Sequence, residues 1–367
     1  MKNVTRKVFL FLLVCTTMIM PQAFAQENYL ILPSDFSPLN MLITEDDRVV
    51  LSGYTGMPQE SCAAILQITK DGKMQLIEGE PIGAAYTQAA VRSPEQLLLL
   101  FKKWSMATDT TAILMDNETN ILKMQTMEGV TQVFTISDGC LFLKRAAVGN
   151  GILLKQNNDG QLIWQIELPQ MSMINSIVED KGDIYLIGDY STNSEQNNMG
   201  VILKINETGQ VIWRYDSPEE GTFYWGMVTD QNDEIVIAGM YYDCSSEPVE
   251  KPMIAKIYRG NIIWQNNDIV PKQTVPLDFH PIAAAAHTDG YYIAYQMLSE
   301  SGFIYVSQFD DFGQCLNTWK KSVEPIHLVA QAQMKLIDGQ FCLIVKGYNR
   351  QNFDECILLQ LSITQFP

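Results

Sequence analysis

Val201-Ile-Leu-Lys-Ile-Asn-Glu-Thr-Gly-Gln-Val-Ile-Trp213 decides how this chain folds. Val201 to Ile205 is a short run of apolar and long-stemmed residues, rich in β-branched side chains. A polar group ending in Gly209 follows, and Val211, Ile212 and Trp213 open a second run. Two such runs about a Gly-containing loop predict a β-hairpin. Glycine supplies the positive φ that such a turn needs.

The stretch recurs. Gly151-Ile-Leu-Leu-Lys-Gln-Asn-Asn-Asp-Gly-Gln-Leu-Ile-Trp164 and Met253-Ile-Ala-Lys-Ile-Tyr-Arg-Gly-Asn-Ile-Ile-Trp264 repeat it, each with Trp four residues after Gly. Weaker copies are Ala64 to Gly72, Ala112 to Asn120 and Tyr305 to Gly313, and Cys356 to Leu361 lacks a partner strand. The turns at 72, 120, 160, 209, 260 and 313 lie 40 to 53 residues apart. A second strand pair precedes the hairpins: Asp183-Ile-Tyr-Leu-Ile-Gly-Asp189 matches Glu234-Ile-Val-Ile-Ala-Gly-Met240. Four strands in a unit of about 50 residues predict a β-propeller blade.

Residues 1–25 read as a secretory signal peptide. Lys2, Arg6 and Lys7 form a basic start, Val8 to Met20 an apolar segment, and Ala23-Phe-Ala25 a cleavage site. Cleavage near Ala25 predicts a secreted or extracytoplasmic protein. The remainder, 26–367, is expected to be one propeller domain, since a ring of blades grows without enlarging any single core. The expected blades are 38–80, 81–127, 128–168, 169–217, 218–267, 279–322 and 326–364. The segment 27–32 supplies the last blade's outer strand and closes the ring, which removes two exposed sheet edges. The fold is therefore expected to be all-β, seven-bladed, with four-stranded antiparallel blades. Inner strands such as Ala283-Ala-Ala-Ala286 are small enough for a crowded axis.

Losing the signal changes the net charge from −17 to −20. Such a surface repels nucleic acid and anionic lipid and keeps an exported protein soluble. Attraction of cations is the sharper consequence. No later stretch is apolar for long enough to span a membrane as a helix. Cys62, Cys140, Cys244, Cys315, Cys342 and Cys356 form no CxxC. Cys342 and Cys356 fall on adjacent strands of the last unit, which allows a disulfide. The plainer expectation is small, buried, apolar residues.

Candidate site residues cluster on one face. Links between units and the loops between second and third strands emerge there, and 241–252 and 266–281 are long. Long loops on a rigid repeat scaffold are where binding resides. Tyr224, Trp225, Tyr241 and Tyr242 lie at or near that face and suit stacking on sugar or anchoring a peptide. The plainer expectation for them is core. His280 and His327 open inner strands of adjacent units, near Asp278, as metal or general-base candidates, or simply packed histidines. No third ligand stands at a diagnostic spacing, so no metal or cofactor is expected. Gly-x-Ser-x-Gly, His-Glu-x-x-His, a P-loop and a calcium loop are all absent from the sequence. The Asp-Gly pairs are turn formers.

At Lys204-Ile-Asn-Glu-Thr-Gly-Gln-Val-Ile-Trp213 the unit resembles the blades of pyrroloquinoline-quinone-like propellers, and equally those of other exported bacterial propellers. The resemblance implies fold more than function. Quinone-dependent dehydrogenases place a vicinal Cys-Cys and acidic calcium ligands about their cofactor. No Cys-Cys occurs here, so no cofactor residue carries over. The function expected is a non-catalytic binding or scaffolding module, a monomer, taking a protein or carbohydrate ligand on the face of 241–252 and 266–281. The alternative is an extracytoplasmic enzyme, a hydrolase, lyase or degenerate quinoprotein, with its site at the channel mouth.

Overall fold

A computed structural model describes residues 28–362 apart from 34, 45–47, 58–59, 70–72, 82, 94, 104–108, 117–119, 147–149, 172, 192–197, 218–221, 230–233, 244–248, 268–278, 288–289, 298–301, 325, 338–339 and 350–355. The expected signal peptide, Asp278, Cys244 and the central parts of both long loops lie outside the described residues. The chain divides into two compact units, residues 35–127 and residues 27–34 with 128–367. All regular structure among the described residues is β. No described helix is long and apolar enough to cross a membrane.

The first strand, β1 (Asn28–Ile31), belongs to the second unit. The first unit holds two four-stranded antiparallel meanders. They are β2 (Phe36–Ile43), β3 (Val49–Thr55), β4 (Cys62–Ile68) and β5 (Met74–Pro81), then β6 (Ala84–Ser93), β7 (Gln96–Lys103), β8 (Asp109–Asp116) and β9 (Ile121–Glu128).

The second unit continues the pattern. Its sheets are β10 (Val130–Ile136), β11 (Gly139–Arg145), β12 (Gly151–Asn157) and β13 (Leu162–Leu168); β14 (Met173–Asp180), β15 (Asp183–Ser191), β16 (Asn198–Ile205) and β17 (Val211–Asp216); β18 (Phe223–Thr229), β19 (Ile235–Asp243), β20 (Val249–Tyr258) and β21 (Asn261–Asn266); and β22 (Phe279–His287), β23 (Gly290–Met297), β24 (Phe303–Phe309) and β25 (Cys315–Ser322). In its last sheet β26 (Ile326–Ile337), β27 (Gln340–Asn349) and β28 (Cys356–Ser362) are completed by β1, with Asn28 opposite Gln360 and Ile31 opposite Ile357.

Within each unit successive sheets pack face to face, and the core lies between them. In β15, Leu186 faces the preceding sheet's Leu141 and Leu153, while Tyr185 and Ile187 face Ile237, Ala255 and Ile257 of the following one. The second and third strands are thus buried on both faces and read as continuous apolar runs. Each such side chain is worth about 1.5–3 kcal/mol of burial.

The repeated hairpin turn is built as its residues dictate. Asn206 Oδ1 accepts from the N–H groups of Thr208 (3.1 Å) and Gln210 (2.8 Å), and Gly209 at φ 85 closes the turn onto Asn206 O. Asn157 and Asp310 do the same in their sheets. Beyond the turn a bulge leaves Ile212 outside the ladder and half-exposed, so that Trp213 turns inward. The tryptophans then lock neighbouring sheets. Trp164 donates to Glu207 O (3.0 Å) with its ring on Gly209, and Trp264 donates to Asp311 O (2.8 Å) with its ring on Gly313. Trp213 lies against Gly260 in the same way.

The expected option of a Cys342–Cys356 disulfide is corrected by register. Cys342 stands opposite Ser362, whereas Cys356 stands opposite Tyr348. That is an offset of about 20 Å along the strands, far beyond the reach of a disulfide. Cys62, Cys140 and Cys315 are in no disulfide.

Candidate functional site

Antiparallel order fixes which connections share an end of a sheet. Links between sheets leave at the same end as the turns between second and third strands. In the second unit that end carries the longest connection, from Asn266 to Phe279. At the other end the connections are short, as between Asp180 and Asp183 or Tyr258 and Asn261.

Near the link-bearing end every first strand carries a bulge at one shared position. In the second unit it leaves Thr131, Asn175, Trp225, Ile282 and Ala330 without partners in the ladder. A bulge re-aims the side chain it frees. Amide side chains nearby latch successive first strands together. Gln132 both donates to Ile174 O (2.8 Å) and accepts from Ile174 N (3.0 Å). From the second strand β23, Gln296 Oε1 likewise accepts from Val329 N on the next sheet's first strand (3.0 Å).

Asn175 does this and more. One Nδ2 hydrogen bond goes to Tyr224 O in the next sheet (2.9 Å), the other to Asp189 Oδ1 at the end of β15 (3.2 Å). Asp189 is partly buried, and burial pushes its carboxyl above the ordinary value against the opposing hydrogen bond from Asn175. Opposite Asp189 on β16 stands Gly200, and the space a side chain there would take is filled by the Tyr224 ring. Asp189 and Asn175 were not legible as site residues in sequence, because only the bulge and the cross-sheet contact bring them together.

A stability test follows from the raised carboxyl. The unfolded group titrates at its ordinary value, so between that value and the raised one the native state holds more protons. Stability therefore declines as pH rises through that window and stays lower above it. Asp189→Asn is expected to raise the urea midpoint at pH 7 and leave it unchanged at pH 3. An unchanged midpoint at pH 7 would remove the burial argument.

Tyr224, a candidate binding residue for which core is the plainer expectation, is a core residue with 1% exposure, seated against Gly200 between sheets. Trp225 occupies the bulge of β18, and Tyr241 and Tyr242 end β19 opposite Lys251 and Glu250. His280 is the second residue of β22, and His327 lies at a further bulge of β26. The backbone thus brings these five to the link-bearing ends of three consecutive sheets; their side chains lie outside the description. No group of three or more potential metal ligands occurs among the described residues.

Sequence reading also missed a repeated ion pair at the other end. Lys155, Lys204 and Lys256 are nearly buried and pair with Asp138 (2.9 Å), Asp183 (2.9 Å) and Glu234. Lys204 lies 5.1 Å from the centroid of the Tyr185 ring, and Lys256 5.5 Å from that of Tyr291. The available signal was lysine at one register in three copies. Buried and paired, these lysines tie the third strand of each sheet to the start of its second strand.

No protein-family model and no curated protein matches the chain. Among solved structures it is similar to the polysaccharide lyase Uly1, with TM-score 0.58, 10% identity, and coverage of 89% of this chain and 90% of that one. It is similar to the β-propeller domain of the Trilobed protease from Pyrococcus furiosus, of open velcro topology, with TM-score 0.54, 12% identity, and coverage of 90% and 96%. For the acylaminoacyl peptidase of Pyrococcus horikoshii the TM-score is 0.55 at 10% identity, and the match spans about half of that protein, 52% against 90% of this chain. At these identities the likeness shows the fold, a β-propeller, and not an activity.

Proposed function

We propose that the chain is an exported, seven-bladed propeller with quinoprotein-type blade repeats and no cofactor, whose ring is closed by β1 in the last blade. It acts as a monomeric, non-catalytic binding or scaffolding module. Its ligand, a protein or a glycan, docks at the link-bearing end across 241–252 and 266–281. The observation that carries this reading is the uneven length of the connections: the span from Asn266 to Phe279 sits at the end where Trp225, Tyr241, Tyr242, His280 and His327 are gathered. A rigid scaffold with variable connections at one end is the usual build of a recognition surface.

The catalytic alternative draws on Asp189, a partly buried carboxyl of raised pKa at the same end, which is the profile of a general acid. The polysaccharide lyase likeness adds only the fold. One experiment addresses both readings. The chain from Gln26 onward is tested on a glycan array and in capture from the native exterior, beside a variant with 268–278 replaced by a short Gly-Ser link. Ligand retained by the parent and lost by the variant, at equal thermal stability, is the expected result. Equal capture by both proteins would remove the binding end. Bond cleavage in the retained ligand, abolished in His280→Ala/His327→Ala or Asp189→Asn, would replace binding with catalysis.

A further inference from the structure

We draw no further inference here: the strongest candidate, the row of half-exposed aliphatic side chains (Ile163, Ile212, Ile263 and Leu316) at the starts of the outer strands β13, β17, β21 and β25, is an unpartnered apolar face, and nothing in the structure shows what covers it.

Discussion

Deleting residues 28–32 is expected to cost more stability than any single core substitution. β1 is the outer strand of a sheet whose other strands come from the far end of the chain, and it is paired over its whole length, from Asn28–Gln360 to Ile31–Ile357. Leu32, just beyond it, is 2% exposed. Leu32→Ala alone should cost about 2–5 kcal/mol. The deletion removes that side chain and a full ladder, and exposes β28, whose sequence Ile357-Leu-Leu-Gln-Leu361 makes an aggregation-prone edge. Denaturant unfolding should show a lower midpoint than Leu32→Ala, accompanied by concentration-dependent association. A peptide of residues 26–34 added in trans should restore the midpoint in proportion to its concentration. A deletion variant with the parent's midpoint would mean that the pairing of β1 with β28 adds little to the fold.

What sequence could and could not foresee follows from how local each feature is. The second and third strands were legible because both their faces are buried, which leaves an apolar run such as Ile184 to Ile187. The turns were legible because Asn206 and Gly209 satisfy them within four residues. Register was not. Adjacent strands suggested that Cys342 and Cys356 meet, yet the pairing sets each of them opposite another residue. The bulges were equally hidden. One unpaired residue in β18 breaks the alternation, so sequence left Tyr224 open between core, the plainer expectation, and binding residue, and the structure buries it. The same kind of bulge frees Asn175 to reach across sheets to Tyr224 and along its own sheet to Asp189. The link-bearing end as a place was therefore readable, and its polar centre was not.

The second large effect is expected at Lys204, and it separates charge from bulk. Its ammonium pairs with Asp183 at 2.9 Å, and the side chain is 6% exposed. Register sets it between Tyr185 on one neighbouring strand and Trp213 on the other. Lys204→Ala removes the cation and the packed stem together. Breaking a buried pair from one side costs about 3–5 kcal/mol. Asp183 keeps 32% of its side-chain exposure and can be rehydrated, which reduces that part. About 2–4 kcal/mol, cavity included, is the expected loss. Lys204→Met restores the stem without the charge and should recover most of it, since well-packed apolar residues commonly replace buried ions without loss. Asp183→Asn combined with Lys204→Met should then match the parent or exceed it. Denaturant midpoints of the four proteins decide the matter. If Lys204→Met falls as far as Lys204→Ala while the double variant recovers, the carboxylate needs its cation. If all three variants fall alike, the pair is worth its charge in this fold, and the same loss should follow at Lys155 and Lys256.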